Sequence, residues 1–192
     1  MIPVIHTAED LGELGSAVRA RELSELGFQG VRRHERAVAD SWTSIESFVR
    51  SLPASLEGYR VYQDGLPVCG RELEIVKEVA SKGSRNHALL LELRSRGAQI
   101  MGTEVPGLLL EELAAARAAA LPRGHPAPVA ASGEGGAPRS LLERRDRAIG
   151  EQIGKTLLPG ETGILFIGAL HRAITYLPED IVVEKPVRSQ RG

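Results

Sequence analysis

Short runs of strand-forming residues alternate along this chain with stretches whose apolar residues recur at helical spacing. The short runs predict strands at residues 2–5, 59–62, 98–101, 163–167 and 181–183. The helical spacing predicts helices at residues 7–27, 31–52, 71–81, 84–96, 108–121 and 140–157. This alternation predicts an α/β fold with a mostly parallel sheet and helices on both faces.

The length of 192 residues fits a single compact domain that spans residues 1–192. Within it, residues 122–138 contain four prolines and four glycines without apolar periodicity, which predicts a flexible loop. A polar tail is expected over residues 186–192. Only 4% of the residues are aromatic, so the core is expected to be aliphatic.

Composition and charge exclude several classes of protein. Hydrophobic residues make up 42% and charged residues 26%, which is typical of a folded soluble domain. The net charge of −1 and the interleaving of arginines with acids predict neither a nucleic-acid partner nor a membrane partner. Cys69 is the single cysteine, so no internal disulfide can form. We expect a cytoplasmic protein, since the amino terminus does not resemble a signal peptide.

Four predicted strands are followed by side chains that can bind a metal or move a proton. They are His6, Asp64, Glu104 and His171. Because ligands of parallel α/β sheets bind beyond the carboxyl ends of the strands, these four are expected to converge on one polar site. Each also has a simpler interpretation: the histidines as surface or capping residues, Asp64 as a turn former and Glu104 as a solvated acid.

The helix predicted at residues 140–157 carries a second indication. Its apolar stripe contains Leu142 and Ile149, and the positions between them on the same side are Arg145 and Asp146. A buried charge requires a partner, so this helix is expected to face the site, with Arg145 or Arg144 contacting a carboxylate or an oxyanion. The alternative is that the buried side of the helix shifts along its length, so that both charged side chains face solvent.

Two histidines and two carboxylates suit a divalent ion such as zinc, manganese or iron(II). Such an ion would activate water in a hydrolase, with a carboxylate as general base and an arginine holding the developing negative charge. Without a metal, a histidine paired with an acid can still transfer protons. The chain contains no HExxH, GxGxxG, GxSxG or phosphate-loop pattern, so nucleotide and serine-hydrolase chemistry are not indicated.

Three short motifs, in this order along the chain, resemble those of the TraB/TIKI family, which is related to erythromycin esterases and ChaN-like proteins. Ile5-His6-Thr7 resembles the motif after the first strand, Glu143-Arg144-Arg145-Asp146 the helical ERN-like motif, and Gly168-Ala169-Leu170-His171 the late Gly-x-x-His motif. Two positions depart from the family pattern: Pro3 replaces a glycine, and Arg145 replaces an asparagine.

The resemblance implies a metal-dependent, hydrolase-like site in which His6, Glu143, Arg144 and His171 are functional. Together with the analysis of the helix, it makes Glu143, Arg144 and Arg145 the candidate catalytic residues. We therefore expect hydrolysis of a peptide, ester or amide bond in a small-molecule or peptide substrate. The alternatives are a non-catalytic binding module for a small anionic or tetrapyrrole-like ligand, and a structural or partner-binding domain. Homo-oligomerisation stays open.

Overall fold

A parallel sheet of four strands forms the centre of the protein in a computed structural model that describes residues 1–4, 15–120 and 140–185. The strands are ordered β1-β4-β2-β3, and every neighbouring pair is parallel. The elements along the chain are β1 (Ile2–Val4), α1 (Gly15–Ser51), β2 (Tyr59–Pro67), α2 (Glu72–Ser81), α3 (Arg85–Ser95), β3 (Gln99–Glu104), α4 (Pro106–Ala120), α5 (Leu141–Thr156), β4 (Thr162–Gly168) and a 3₁₀ turn (Ala173–Tyr176). Three predictions lie outside the described residues: His6, the loop at 122–138 and the tail at 186–192.

Apolar side chains cover the sheet on both faces. On one face, Val61, Ile164 and Phe166 pack with buried residues of α1, α2 and α3, such as Trp42 and Leu90. Successive side chains of a strand point to opposite faces. The other face accordingly carries a second cluster, which joins the strands to α5 and the 3₁₀ turn and consists of Tyr62, Ile149, Ile153, Leu165, Ile167 and Ala173. The predicted α/β fold, with a parallel sheet covered on both faces, is confirmed.

Helix α1 follows its predicted apolar stripe and contains the predicted break. Gly27 has φ 63° and ψ 172°, which interrupts the helical backbone between two stretches that otherwise run on as one helix. Beyond the break, Trp42, Ile45 and Val49 are buried against the sheet. The spacing of these residues by three and four positions explains why one side of the helix faces the core.

Two local predictions were wrong. Strand β2 does not end at Tyr62, because it continues to Pro67, with a shift of its register to β3 between Gln63 and Pro67. Gly65, at φ +74°, allows this irregularity. Residues 181–183 form no strand, and Val182 is 85% exposed. Three β-branched residues have strand propensity, but a strand also needs a neighbour to pair with.

The helices have the local sequence features that begin them. Ser140 is the N-cap of α5, and its hydroxyl accepts the backbone N–H of Glu143. Ser84 caps α3 in the same way, through His87. These caps satisfy amide groups that have no partner within the helix. Within the described residues, no helix combines the length and the apolar character needed to cross a membrane.

Candidate active site

A cluster of charged side chains lies at the carboxyl-terminal ends of β2, β3 and β4. These are neighbouring strands, and they bring together Asp64, Glu104 and His171. Helix α5 adds Arg145 and Asp146, which pair with Glu104 and His171 respectively. At most 8% of any of these five side chains is exposed. Such burial of ionisable groups requires that each has a partner.

His171 is held in place by Asp146. Its Nδ1 lies 2.6 Å from Oδ1 of Asp146, while Oδ2 accepts the backbone N–H of Arg172 at 2.9 Å. The backbone N–H of His171 also donates to the carbonyl of Gly168 at 3.1 Å, which closes the turn after β4. Because an ionised carboxylate only accepts, Nδ1 is the nitrogen that carries the proton, and in the neutral form of the ring Nε2 presents a lone pair.

Asp64 lies on the other side of the imidazole. Its Oδ2 is 3.7 Å from Nε2 of His171, which is too long for a hydrogen bond but close enough to stabilise the ring when it becomes cationic. The same oxygen accepts the backbone N–H of Gly168 at 2.7 Å, and Oδ1 accepts the side-chain amide of Gln63, also at 2.7 Å. Two donors therefore fix the direction in which the Asp64 carboxylate faces His171.

A buried chain of amides supports Asp64 from beneath. Besides Oδ1, the amide nitrogen of Gln63 donates to the backbone carbonyl of Asp64 at 2.8 Å. The Gln63 amide oxygen in turn accepts from Asn86, in the first turn of α3, at 2.8 Å. Thr103 donates to the backbone carbonyl of Gln63 at 2.6 Å. Because Gln63 faces two acceptors at Asp64, only one orientation of its amide satisfies all these contacts.

Glu104 is engaged by Arg145. Its Oε1 accepts from Nη2 and Nε of Arg145 at 2.6 and 3.1 Å, and Oε2 accepts from Nε at 3.2 Å. The backbone N–H of Gly65 also donates to Oε1 at 3.3 Å, and Nη1 of Arg145 donates to Glu112 on α4. Burial alone would lower the pKa of Arg145, but the hydrogen bond and charge of Glu104, helped by Glu112 and Asp64, raise that pKa above its usual value. Arg145 is therefore cationic.

The other two candidate catalytic residues lie on different sides of α5. Arg144 forms an ion pair with Glu111 of α4, and 40% of its side chain is exposed. Glu143 is half-buried, and the hydroxyl of Tyr176 donates to it at 3.5 Å. The residues of α5 that meet Glu104 and His171 are thus Arg145 and Asp146, one or two positions later in the helix.

The donor set was tested for its fit to a metal ion. Within residues 1–4, 15–120 and 140–185, no three His, Cys, Asp or Glu side chains are grouped so that they could hold one ion. Nε2 of His171 and Oδ2 of Asp64 do fit as a pair, since 3.7 Å is less than the roughly 4.2 Å that two ligands of one zinc ion can span. Asp146 would then orient the histidine in the usual way of a carboxylate behind a metal-bound imidazole. Glu104 does not fit as a ligand, because Arg145 occupies its oxygens.

Sequence analysis missed part of this arrangement. It placed Asp146 on the buried stripe of α5 without assigning it a role, although a histidine at the end of the adjacent strand is its partner. It also missed Gln63 and Asn86. Gln63 follows Val61 by two positions, and a polar residue at an inward position of a strand was the available signal.

A concave surface lies along β3, which is an edge strand. This groove of about 560 Å³ is lined by α2, the end of α3 and residues 99–101 of β3. Its charged residues include Arg71, Lys77 and Arg94. None of the five residues of the cluster lines it, so it is separate from the candidate site.

Comparisons with protein-family models, with curated proteins and with solved structures gave no significant match. The resemblance to the TraB/TIKI family therefore stays a prediction from three short motifs. Any assignment of function has to rest on the geometry of His171, Asp146 and Asp64.

Proposed function

We propose that this protein is a hydrolase of ester, amide or peptide bonds and that His171 is its general base. One observation carries the proposal: Asp146 holds Nδ1 of His171 at 2.6 Å, so that Nε2 is left to take a proton at the carboxyl ends of the strands. General bases in enzymes are most often histidines, and a carboxylate behind the ring fixes both tautomer and orientation.

The chemistry follows from these positions. Nε2 of His171 removes a proton from water as the water oxygen attacks the carbonyl carbon of the substrate. The same nitrogen returns the proton to the leaving oxygen or nitrogen when the C–O or C–N bond breaks. Between these steps the ring is cationic, and Asp146 and Asp64, which lie on its two sides, stabilise that charge.

In a second, metal-dependent form of the proposal, a divalent ion would be the cofactor, and its ligands would include Nε2 of His171 and Oδ2 of Asp64. When bound, such an ion polarises the carbonyl and provides an activated water. His171 then acts as a ligand oriented by Asp146 instead of as a base. His6, the other histidine that the sequence predicts as a metal ligand, lies outside the described residues.

The alternative of a module that binds a small anion has less support. Carboxylates outnumber the cations in the cluster, and the guanidinium of Arg145 is already paired with Glu104 and Glu112. An anionic ligand would be repelled by the carboxylates of Asp64 and Asp146. The site therefore disfavours an anionic substrate.

The test is hydrolysis of p-nitrophenyl acetate and of amino-acid p-nitroanilides by the wild type and the variants His171→Ala, Asp146→Asn and Asp64→Asn. We expect His171→Ala to lower kcat/KM by about 10²- to 10⁴-fold, the usual contribution of a general base. Asp146→Asn should also lower it, since an amide can donate to Nδ1 and favour the wrong tautomer. His34→Ala, an exposed histidine on α1, is the matched control and should have no effect.

Elemental mass spectrometry of the same proteins separates the two forms of the proposal. Near-stoichiometric zinc, manganese or iron that is lost in His6→Ala, Asp64→Asn and His171→Ala would establish the metal-dependent form. Activity that persists in metal-free protein would establish His171 as a base acting alone. A wild type that hydrolyses neither class of substrate, with or without these metals, would show the proposal to be wrong.

A further inference from the structure

Three exposed apolar residues follow the strands that carry the candidate site. Val68 follows β2 directly, Val105 follows β3 directly, and Leu170 lies two residues after β4. Their exposed fractions are 42%, 49% and 81%. We call these three residues the apolar rim.

The sheet topology places the members of the rim side by side. In the order β4-β2-β3, Phe166, Gln63 and Gly102 form one row of paired residues across the sheet. Leu170, Val68 and Val105 follow that row by four, five and three positions respectively. The backbone N–H of Val68 donates to the carbonyl of Glu104 at 2.9 Å, which brings Val68 beside Val105. Neighbouring strands are about 4.8 Å apart, so the rim extends over roughly 10 Å.

Each member of the rim lies close in sequence to a residue of the polar centre. Leu170 precedes His171, Val105 follows Glu104, and Val68 lies just beyond the bulge that contains Asp64. Ligand sites combine mainly apolar walls with a few oriented polar groups, and this edge of the sheet has both. Exposed apolar residues that lie at the same end of three neighbouring strands, beside polar groups, are typical of a surface that binds a ligand.

We propose that the apolar rim receives an apolar group of the substrate, next to the bond that the buried centre cleaves. The substrate class is thus a neutral ester or amide with an aliphatic or aromatic acyl side. The cleavage step of this inference rests on the proposed hydrolase function. The binding of an apolar group by the rim does not depend on that function. The pairing of Arg145 agrees with this substrate class, since its guanidinium is already bound by Glu104 and Glu112 and is not left to hold an anionic group of a substrate.

The test is a series of p-nitrophenyl esters from acetate to hexanoate, measured as kcat/KM. A methylene group that leaves water contributes up to about fourfold, so the four added methylenes should raise kcat/KM by about tenfold or more. In Leu170→Ser and Val105→Ser, the ratio of hexanoate to acetate activity should fall by about threefold or more in each variant. Leu158→Ser is the matched control. Leu158 is 53% exposed but precedes β4, so it lies at the amino-terminal end of the strand, away from the rim.

Each outcome decides the inference. Hydrolysis without a gain from chain length, or a gain that survives both rim substitutions, would overturn it while leaving the hydrolase proposal intact. If no ester is hydrolysed, the hydrolase proposal fails. Binding of the fluorescent apolar probe N-phenyl-1-naphthylamine then tests whether the rim is a ligand surface. Probe binding that is kept in His171→Ala and lost in the rim variants supports the rim as a ligand surface, whereas unchanged binding overturns it. A dimer that the rim substitutions convert to a monomer, measured by light scattering, would also overturn the inference, since a second copy would then cover the rim.

Discussion

Helices α4 and α5 contact each other beside the candidate site, but they are attached to the protein in different ways. Five residues of α5 are buried, and they include Ile149 and Ile153, which pack on the sheet. In α4, none of residues 106–117, whose side chains the structure describes, is buried. Ion pairs join the two helices, from Arg144 to Glu111 and from Arg145 to Glu112.

This difference in burial makes α5 a structural part of the site and α4 a peripheral one. Apolar burial is the main source of folding stability, so α5 is part of the core and carries Arg145 and Asp146 at fixed positions. Exposed ion pairs contribute little, so α4 is held weakly. The same contrast appears in two adjacent residues, since Arg145 is 5% exposed in the core while the side chain of Arg144 is 40% exposed.

The largest effect is expected from removing the partner of the buried arginine. Glu104→Gln keeps the size of the side chain but leaves Arg145 without its main counter-charge. Breaking a buried ion pair from one side costs about 3–5 kcal/mol of the free energy of unfolding. Urea denaturation of the variant and the wild type, monitored by circular dichroism, measures this loss.

The matched control is Glu111→Gln, which removes the same charge from the exposed partner of Arg144. Its unfolding midpoint should stay close to that of the wild type. Equal losses for the two substitutions would contradict the contrast between the arginines. Added salt should reduce the stability that the exposed Arg144–Glu111 pair contributes. It should leave the contribution of the buried Arg145–Glu104 pair nearly unchanged.

Much of α5 could be predicted from the sequence, because helical periodicity depends on local spacing alone. The stripe containing Leu142 and Ile149 indicated that Arg145 and Asp146 face inward, and the structure has both buried. The parallel sheet could be predicted for a similar reason, since helical stretches separate its short apolar runs. These features need no knowledge of which distant residues meet.

The rest depends on contacts between residues far apart in the chain. Asn86 contacts Gln63 from 23 positions away, and no local pattern pairs them. Glu104 looked like a metal ligand because of its place after a strand, whereas Arg145, 41 positions later, occupies its oxygens. The strand predicted at residues 181–183 failed because β propensity does not supply a partner strand.

A smaller effect is expected at the glycines of the two helices. A Cβ at Gly150 of α5 would lie 2.7 Å from Cβ of Tyr176 and 2.8 Å from its backbone. Gly150→Ala gains about 1 kcal/mol of helix propensity but incurs about 1–3 kcal/mol of overpacking, since backbone atoms must move. We expect a net loss of up to about 2 kcal/mol in thermal or urea unfolding, with some displacement of the 3₁₀ turn that follows His171.

Gly107 in α4 is the control for this substitution. A Cβ there would meet nothing within 4 Å, so Gly107→Ala should stabilise the protein by about 0.4–1 kcal/mol. Opposite signs for the two glycines would confirm that α5 is packed tightly and α4 loosely. A loss at Gly107 as large as that at Gly150 would show that α4 is buried more closely than its exposure indicates.

The smallest effect concerns the attachment of α4 itself. Because its side chains are at most half-buried, amides of α4 should exchange hydrogen for deuterium faster than those of α5. Arg144→Ala removes one of the ion pairs between the helices and should speed exchange in α4 by about two- to fivefold, without changing exchange in the sheet. The control Lys155→Ala disrupts an exposed pair within α5, with Glu151, and should leave α4 unchanged. Exchange in α4 as slow as in α5, and insensitive to Arg144, would mean that α4 is fixed by its half-buried leucines; the ion pairs would then be incidental to its position over Glu104 and Arg145.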